Sequence, residues 1–92
     1  MSAPALGALR RRFSVEAPFA RPDGMIAYEA RFAAWGELDV TRESAAIRLR
    51  ARSGIEPGWR LRIGARVFEV VTRLRDEKAS GFMTCICREI SP

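Results

Sequence analysis

The sequence predicts an all-β fold, a small β-barrel or compact sandwich of about six strands with short turns. Three observations carry that prediction. Residues 58–71, GWRLRIGARVFEVV, hold two period-two runs on either side of a Gly-Ala dipeptide, the pattern of a half-buried hairpin. Residues 46–53 alternate aliphatic side chains with arginine. Clusters of turn-forming residues recur at short intervals elsewhere, and several short strands joined in this way close as a barrel or sandwich.

Taken in order, residues 1–8, MSAPALGA, are small and aperiodic and read as a flexible or partner-ordered arm. One domain over 1–92 is expected, the arm followed by a barrel over 9–91. From Leu9 to Ala17, Phe13, Val15 and Ala17 alternate with Arg12, Ser14 and Glu16, a first strand. Residues 18–24, centred on Pro22-Asp23-Gly24, carry turn chemistry. Residues 25–40 fit a long strand, with Phe32, Ala34, Gly36, Leu38 and Val40 on one side and Trp35 on the other. Residues 28–35 would also suit a helix by propensity, but Gly36 and the alternation beyond it favour the strand. Residues 39–45, DVTRESA, read as a loop with room for one helical turn from Thr41.

The strand over 46–53 points Ile47, Leu49 and Ala51 inward and Arg48, Arg50 and Arg52 outward. Residues 53–58 turn the chain into the central hairpin. There Gly64-Ala65 suits a type II′ turn, setting Ile63 opposite Arg66, Leu61 opposite Phe68 and Trp59 opposite Val70. Arg60 then faces Glu69 across the polar surface, and the two apolar faces agree, which specifies the register. Residues 71–74 extend this strand and 75–81 form a solvated loop. The last strand, 82–90, sets Phe82, Ile86 and Ile90 against Met83, Cys85 and Cys87. Apolar groups on both faces make it central in a small sheet, or covered by another subunit.

Composition narrows the function. Of 92 residues 48% are apolar, enough for a compact core without staples. Cys85 and Cys87, two apart on one strand face, are poorly placed to bridge one another and read as small buried hydrophobes in a reducing compartment. No apolar run is long enough to span a bilayer, and the N-terminal arginines follow the weakly apolar stretch rather than precede it. No signal peptide and no membrane partner are therefore expected. The net charge of +5 comes from 15 arginines and one lysine against 11 acids. That balance suits nucleic acid, an acidic protein, or neither.

No catalytic constellation is legible. The absence of histidine removes the commonest general base and the commonest metal ligand. Two cysteines cannot close a zinc site, no serine has an activating partner, and Gly54, Gly58 and Gly64 are turn glycines rather than a phosphate loop. No enzyme, cofactor or metal site is expected. Glu37 and Asp39 share a strand face and read as a solvated or subunit-facing edge. Binding remains. Arg48, Arg50 and Arg52 stand about 7 Å apart along one strand, and with Arg60 and Arg62 they would make a basic sheet face. That face reads as solvated and partly paired with Glu37, Glu43 and Glu69, as a contact for an acidic subunit, or as a contact for a nucleic-acid backbone. Phe13, Trp59 and Phe68 fall on core faces, so base-stacking platforms are poorly supported. Trp35 is either a second-side core residue or an interface anchor, with the interface favoured.

The order of features resembles the head–tail joining, or head-closure, proteins of long-tailed bacteriophages and gene transfer agents. The resemblance runs over about residues 9–90. It rests on Leu9-Arg10-Arg11-Arg12-Phe13, on Ala34-Trp35-Gly36-Glu37, on Ile47-Arg48-Leu49-Arg50, on Cys87-Arg88-Glu89, and above all on the run from Pro57 through Gly64, Arg66, Val67, Phe68, Glu69 and Val70. It implies a β-barrel that forms a ring, generally a hexamer, in the virion neck. That ring lies under the portal and adaptor rings, seals the DNA-filled head and receives the tail. Members of the family it resembles commonly carry a longer insertion, often partly helical, between the Ala-Trp strand and the Arg-rich strand, and in some of them it projects into the channel and helps retain DNA. Here only residues 39–45 are available, so the chain reads as a closure ring with a reduced loop or as a neighbouring ring of the neck.

The expectations are then a structural, non-enzymatic subunit assembled in the host cytoplasm. Its partners would be further copies of itself, the adaptor or portal-side ring, and tail-terminator or tail-tube proteins, with DNA passing through the channel. Thr41, Arg42 and Glu43 are placed nearest that channel. Trp35, Glu37, Arg48, Arg50, Arg52, Arg60 and Arg62 are assigned to subunit contacts. The alternative is a small basic nucleic-acid-binding barrel outside any virion.

Overall fold

Six antiparallel strands close on themselves in the computed structural model, which describes residues 11–50, 54–75 and 81–90. They are β1 (Arg11–Ala20), β2 (Ile26–Val40), β3 (Ala45–Arg50), β4 (Arg60–Ile63), β5 (Arg66–Arg75) and β6 (Phe82–Ile90). Around the barrel the order is β1-β2-β3-β6-β5-β4, with β4 returning to β1. The all-β expectation holds, and the barrel rather than the sandwich is the form taken. The expected arm at 1–8, Arg52 and most of the 75–81 loop fall outside the described residues.

The central hairpin forms in the register read from its alternation. Arg60 pairs with Glu69, Leu61 with Phe68 and Ile63 with Arg66, and Trp59 and Val70 are joined by a 2.8 Å backbone hydrogen bond. Gly64 takes φ +61°, the value that the first position of a primed turn needs and that a β-carbon would resist. The inward residues of each strand converge on one core. Phe13, Val15, Ile47, Leu49, Leu61, Phe68 and Cys85 are all fully buried, and among the described residues no charged or polar one joins them. The outward face of β6 is half-buried rather than covered: Phe82, Ile86 and Ile90 sit on the barrel's exterior.

Three local expectations are corrected. First, β1 runs on through Pro18, Phe19 and Ala20 instead of turning at 18. Its bridges to β4 stop at Glu16, so beyond that point one flank is open, and an edge tolerates a proline that lacks its N–H. Second, Asp39 and Val40 belong to β2 and Ala45 to β3, which leaves only 41–44 as loop. No helical turn forms there. The Thr41 N–H donates to the Ser44 carbonyl at 2.8 Å and the Ser44 N–H to Thr41 Oγ1 at 3.2 Å, closing a tight hairpin with Arg42 and Glu43 at its tip. Third, Ile55, read as part of a turn, is fully buried. Its segment folds over one end of the barrel, where the Arg73 guanidinium donates to the Ile55 carbonyl at 2.7 Å.

Two irregularities shape the barrel. The β1–β2 register shifts between Val15 and Glu16, and the β5–β6 register between Val70 and Thr72, where Val71 is the additional residue. Such bulges bend a strand and increase its twist, which helps a short sheet to close. At Gly36, β2 crosses close to the core: a β-carbon there would stand 2.9 Å from the Arg48 carbonyl oxygen and 3.3 Å from the Phe13 ring. The residue is glycine because there is no room for anything else.

Candidate functional site and assembly surfaces

The barrel has two ends and two opposite walls, and these place the candidate residues. At one end lie the 41–44 loop, the Gly64 turn, the start of β1 and the end of β6. Thr41, Arg42 and Glu43 are exposed there, over a shallow hollow completed by Val40, Arg88 and Glu89. Close by, Arg66 grips Glu89 with two bonds, Nε to Oε2 at 2.9 Å and Nη2 to Oε1 at 3.0 Å. The bond from Arg66 holds the Glu89 carboxyl below the ordinary carboxylate range.

The joint basic face over Arg48, Arg50, Arg60 and Arg62 does not exist. In the strand order β3 and β4 are three places apart in a ring of six, so their arginines project from opposite walls. Local alternation makes each row outward-facing but says nothing of which strands are neighbours. On the β3 wall, Arg48 and Arg50 place their guanidinium carbons 4.6 and 5.3 Å from the centroid of the Phe82 ring. This covers an outward aromatic with two cations, each contact worth about 0.5–1 kcal/mol at a surface. Glu37 lies directly opposite Arg48 in the β2–β3 register. Trp35, outward on β2 and paired with Arg12, is 56% exposed, so it is not a second-side core residue.

The β4 wall is built differently. Arg62 donates through Nε to Glu16 Oε2 at 2.8 Å across the β1–β4 pair, and this bond raises its own pKa. Arg60 keeps its predicted place opposite Glu69, but its guanidinium lies 3.9 Å from the centroid of Tyr28, and Glu69 instead sits 3.6 Å from Arg88. Arg60 Nε is buried there without a hydrogen-bond partner. Arg52 lies outside the described residues, so its assignment stays with the sequence.

Among the described residues the interior is apolar apart from two thiols. Cys85 and Cys87 are free and buried, and burial pushes their thiols up to about 11 and about 12. They are neutral and unreactive at physiological pH. Among the described residues no group of three or more His, Cys, Asp or Glu could hold a metal ion, and no helix is long and apolar enough to cross a membrane.

β1 and β2 also extend together beyond the barrel. Residues 17–20 of β1 pair with β2 alone, and bridges from β2 to β3 begin only at Gly36. The first half of β2 and the end of β1 therefore leave the barrel as a two-stranded ribbon. At about 3.3 Å per residue the 15 residues of β2 span about 50 Å, and the molecule measures 51 × 27 × 20 Å. At the ribbon's far end Phe19, Met25 and Ile26 are 42%, 62% and 58% exposed. The long strand from residue 25 and the turn at Pro22-Asp23-Gly24 are both legible in the sequence, whereas the run of β1 through 18–20 is not, because Pro18 reads locally as a turn.

The described residues define a class of fold, the small closed antiparallel β-barrel, with exposed aromatic, aliphatic and cationic side chains on its exterior. Comparison with known proteins makes that class specific. The phage head completion protein family matches residues 27–90, and the chain belongs to that family. The resemblance to head–tail joining proteins read from the sequence therefore holds at the level of the family. Among solved structures, a chain from the virion of a native gene transfer agent particle superposes with a TM-score of 0.69 at 22% identity, over 91% of this chain and 97% of that one. At that identity the likeness speaks for the shared fold. No curated protein matches the chain.

Proposed function

We propose that this chain is a non-enzymatic connector subunit of the virion neck, a barrel that assembles with further copies, six in our reading, into a ring joining head to tail. The observation that carries it is the family match, which covers the barrel from β2 to β6. The exposed Trp35 on the β3 side supports it, being a large aromatic on an outer wall with no role in the core. Modest contacts repeated around a ring sum to a stable assembly even where the isolated chain is monomeric. In this reading Trp35, Glu37, Arg48, Arg50 and Arg52 serve one subunit contact and Arg60 and Arg62 the contact on the opposite wall, as a ring requires two different faces.

The loop end faces the channel, where Arg42 meets DNA phosphate beside Thr41 and Glu43. Four loop residues line a passage rather than plug it. The ring's neighbours are the adaptor or portal-side ring above and the tail terminator or tail tube below, and assembly takes place in the host cytoplasm. The test is to delete the gene in a particle-producing host and examine lysates by electron microscopy. Filled or leaking heads accumulating beside free tails are expected; a normal yield of tailed particles would overturn the proposal. The second reading, a free-standing nucleic-acid module, draws on the net charge of +5 and on exposed Trp35 near the β3 arginines. It predicts tight, salt-sensitive binding of free DNA that is lost when Arg48, Arg50 and Arg52 become alanine.

A further inference from the structure

We propose that a hollow on the β1–β4 wall, between Arg12, Ser14 and Arg62, is a binding site for a single phosphate group. The inference goes beyond the connector reading and does not depend on the ring.

The strand register builds the site. Ser14 on β1 stands opposite Arg62 on β4 and opposite Ala33 on β2. Arg12 lies two residues along the same outer side of β1, about 7 Å from Ser14. Continuing the β1–β4 register by two residues sets Gly64 beside Arg12. Two cations and a hydroxyl are thus interleaved with two residues that have little or no side chain. The result is a hollow of about 290 Å³ lined by these five residues and Phe13. The room over Gly64 is open, since a β-carbon there would meet nothing within 4 Å.

The charge of the hollow is one-sided. Arg12 and Arg62 line it and no acid does. Among the described residues Arg12 has no ion-pair or hydrogen-bond partner. Arg62 donates through Nε to Glu16 Oε2 at 2.8 Å. That bond fixes the guanidinium, and its terminal Nη groups keep no acceptor among the described residues. The neighbouring arginines differ: Arg60 stacks on Tyr28 and Arg66 holds Glu89. Glu16 is the nearest acid, and its charge is already met by Arg62.

The arrangement of donors selects phosphate. A planar carboxylate is satisfied by one guanidinium fork. A tetrahedral phosphate presents acceptor oxygens in several directions, and it takes Arg12 from one side, the Arg62 Nη groups from another and the Ser14 hydroxyl from below. The open mouth leaves the ester side of the phosphate in solvent, so the group it is attached to needs no pocket. One site neutralises one phosphate. Against free DNA it gives modest affinity and a slope of about −1 in log K against log salt.

The experiment is an NMR titration of the full chain with inorganic phosphate at constant ionic strength, following arginine Nε–H signals and backbone amides. Acetate serves as the carboxylate comparison. Saturable shifts centred on Arg12, Ser14, Arg62 and Gly64 are expected with phosphate and not with acetate. Arg12→Gln should weaken phosphate binding about five-fold. Ala33→Leu fills the hollow from an exposed position and leaves both charges in place, and it should weaken binding at least as much. Unchanged amide signals elsewhere establish that each variant is folded. A thymidine dinucleotide, titrated in parallel, identifies the source: tighter binding than phosphate supports a nucleic-acid phosphodiester, weaker binding a free phosphate or monoester. Shifts that never saturate, that acetate reproduces, or that survive either substitution would mean a general counterion effect and overturn the site.

Discussion

Single residues show how closely this barrel is specified. Gly36 is fixed by the 2.9 Å approach of the Arg48 carbonyl, so Gly36→Ala should cost about 1–3 kcal/mol from overpacking against backbone that cannot yield. A urea titration would read this as a lowered midpoint at unchanged slope; an unchanged midpoint would mean the crossing is looser than described. The cysteines make a second prediction. Burial raises both thiols, so their contribution to stability is complete below the unfolded thiol range and is lost as pH rises through about 11 to 12. Unfolding midpoints should fall progressively above about pH 9, and neither thiol should react with a maleimide at neutral pH until denaturant is added. Glu89 works in the opposite direction: its carboxyl is lowered by Arg66, so that contribution is present above the ordinary carboxylate range and fades in acid. Gly36 was legible from sequence only as a small residue in a strand, because what crowds it comes from β3 and β1.

At the scale of elements, legibility follows the range of the interaction. The β4–β5 hairpin could be read to the residue, since its turn and alternation lie within 14 positions and the two faces check each other. The β3 row was equally clear. Ile55 was not, because a residue that plugs a barrel end from a loop has no periodic neighbours to reveal it. Its burial predicts that Ile55→Ala costs about 2–4 kcal/mol, as for a core aliphatic; a loss below about 0.5 kcal/mol in a thermal or urea melt would return it to the turn. The ribbon was hidden for a different reason. Pro18 reads locally as a breaker, whereas in the fold it lies where β1 has lost its β4 neighbour and the missing N–H costs nothing.

At the scale of the whole molecule, the long-range order of strands decides what the arginines can do. Placing β3 and β4 on opposite walls divides an apparent basic face into two arginine rows, one stacked on Phe82 and one paired with Glu16 and Tyr28. A divided charge is poorly suited to gripping one nucleic-acid strand and well suited to a subunit with two neighbours. The isolated chain should therefore bind free DNA weakly, and changing Arg48 and Arg50 together to alanine should weaken assembly more than DNA binding, measured by anisotropy at two salt concentrations. The central claim is assembly into a neck ring, and its most direct test is the mass of the purified protein in solution. Light scattering would follow it alone and mixed with candidate adaptor and tail-terminator proteins, at low and moderate salt. A single closed multimer, formed or greatly stabilised by those partners, is the predicted result. A monomer in every mixture, together with tight salt-dependent binding of free DNA, would contradict the account.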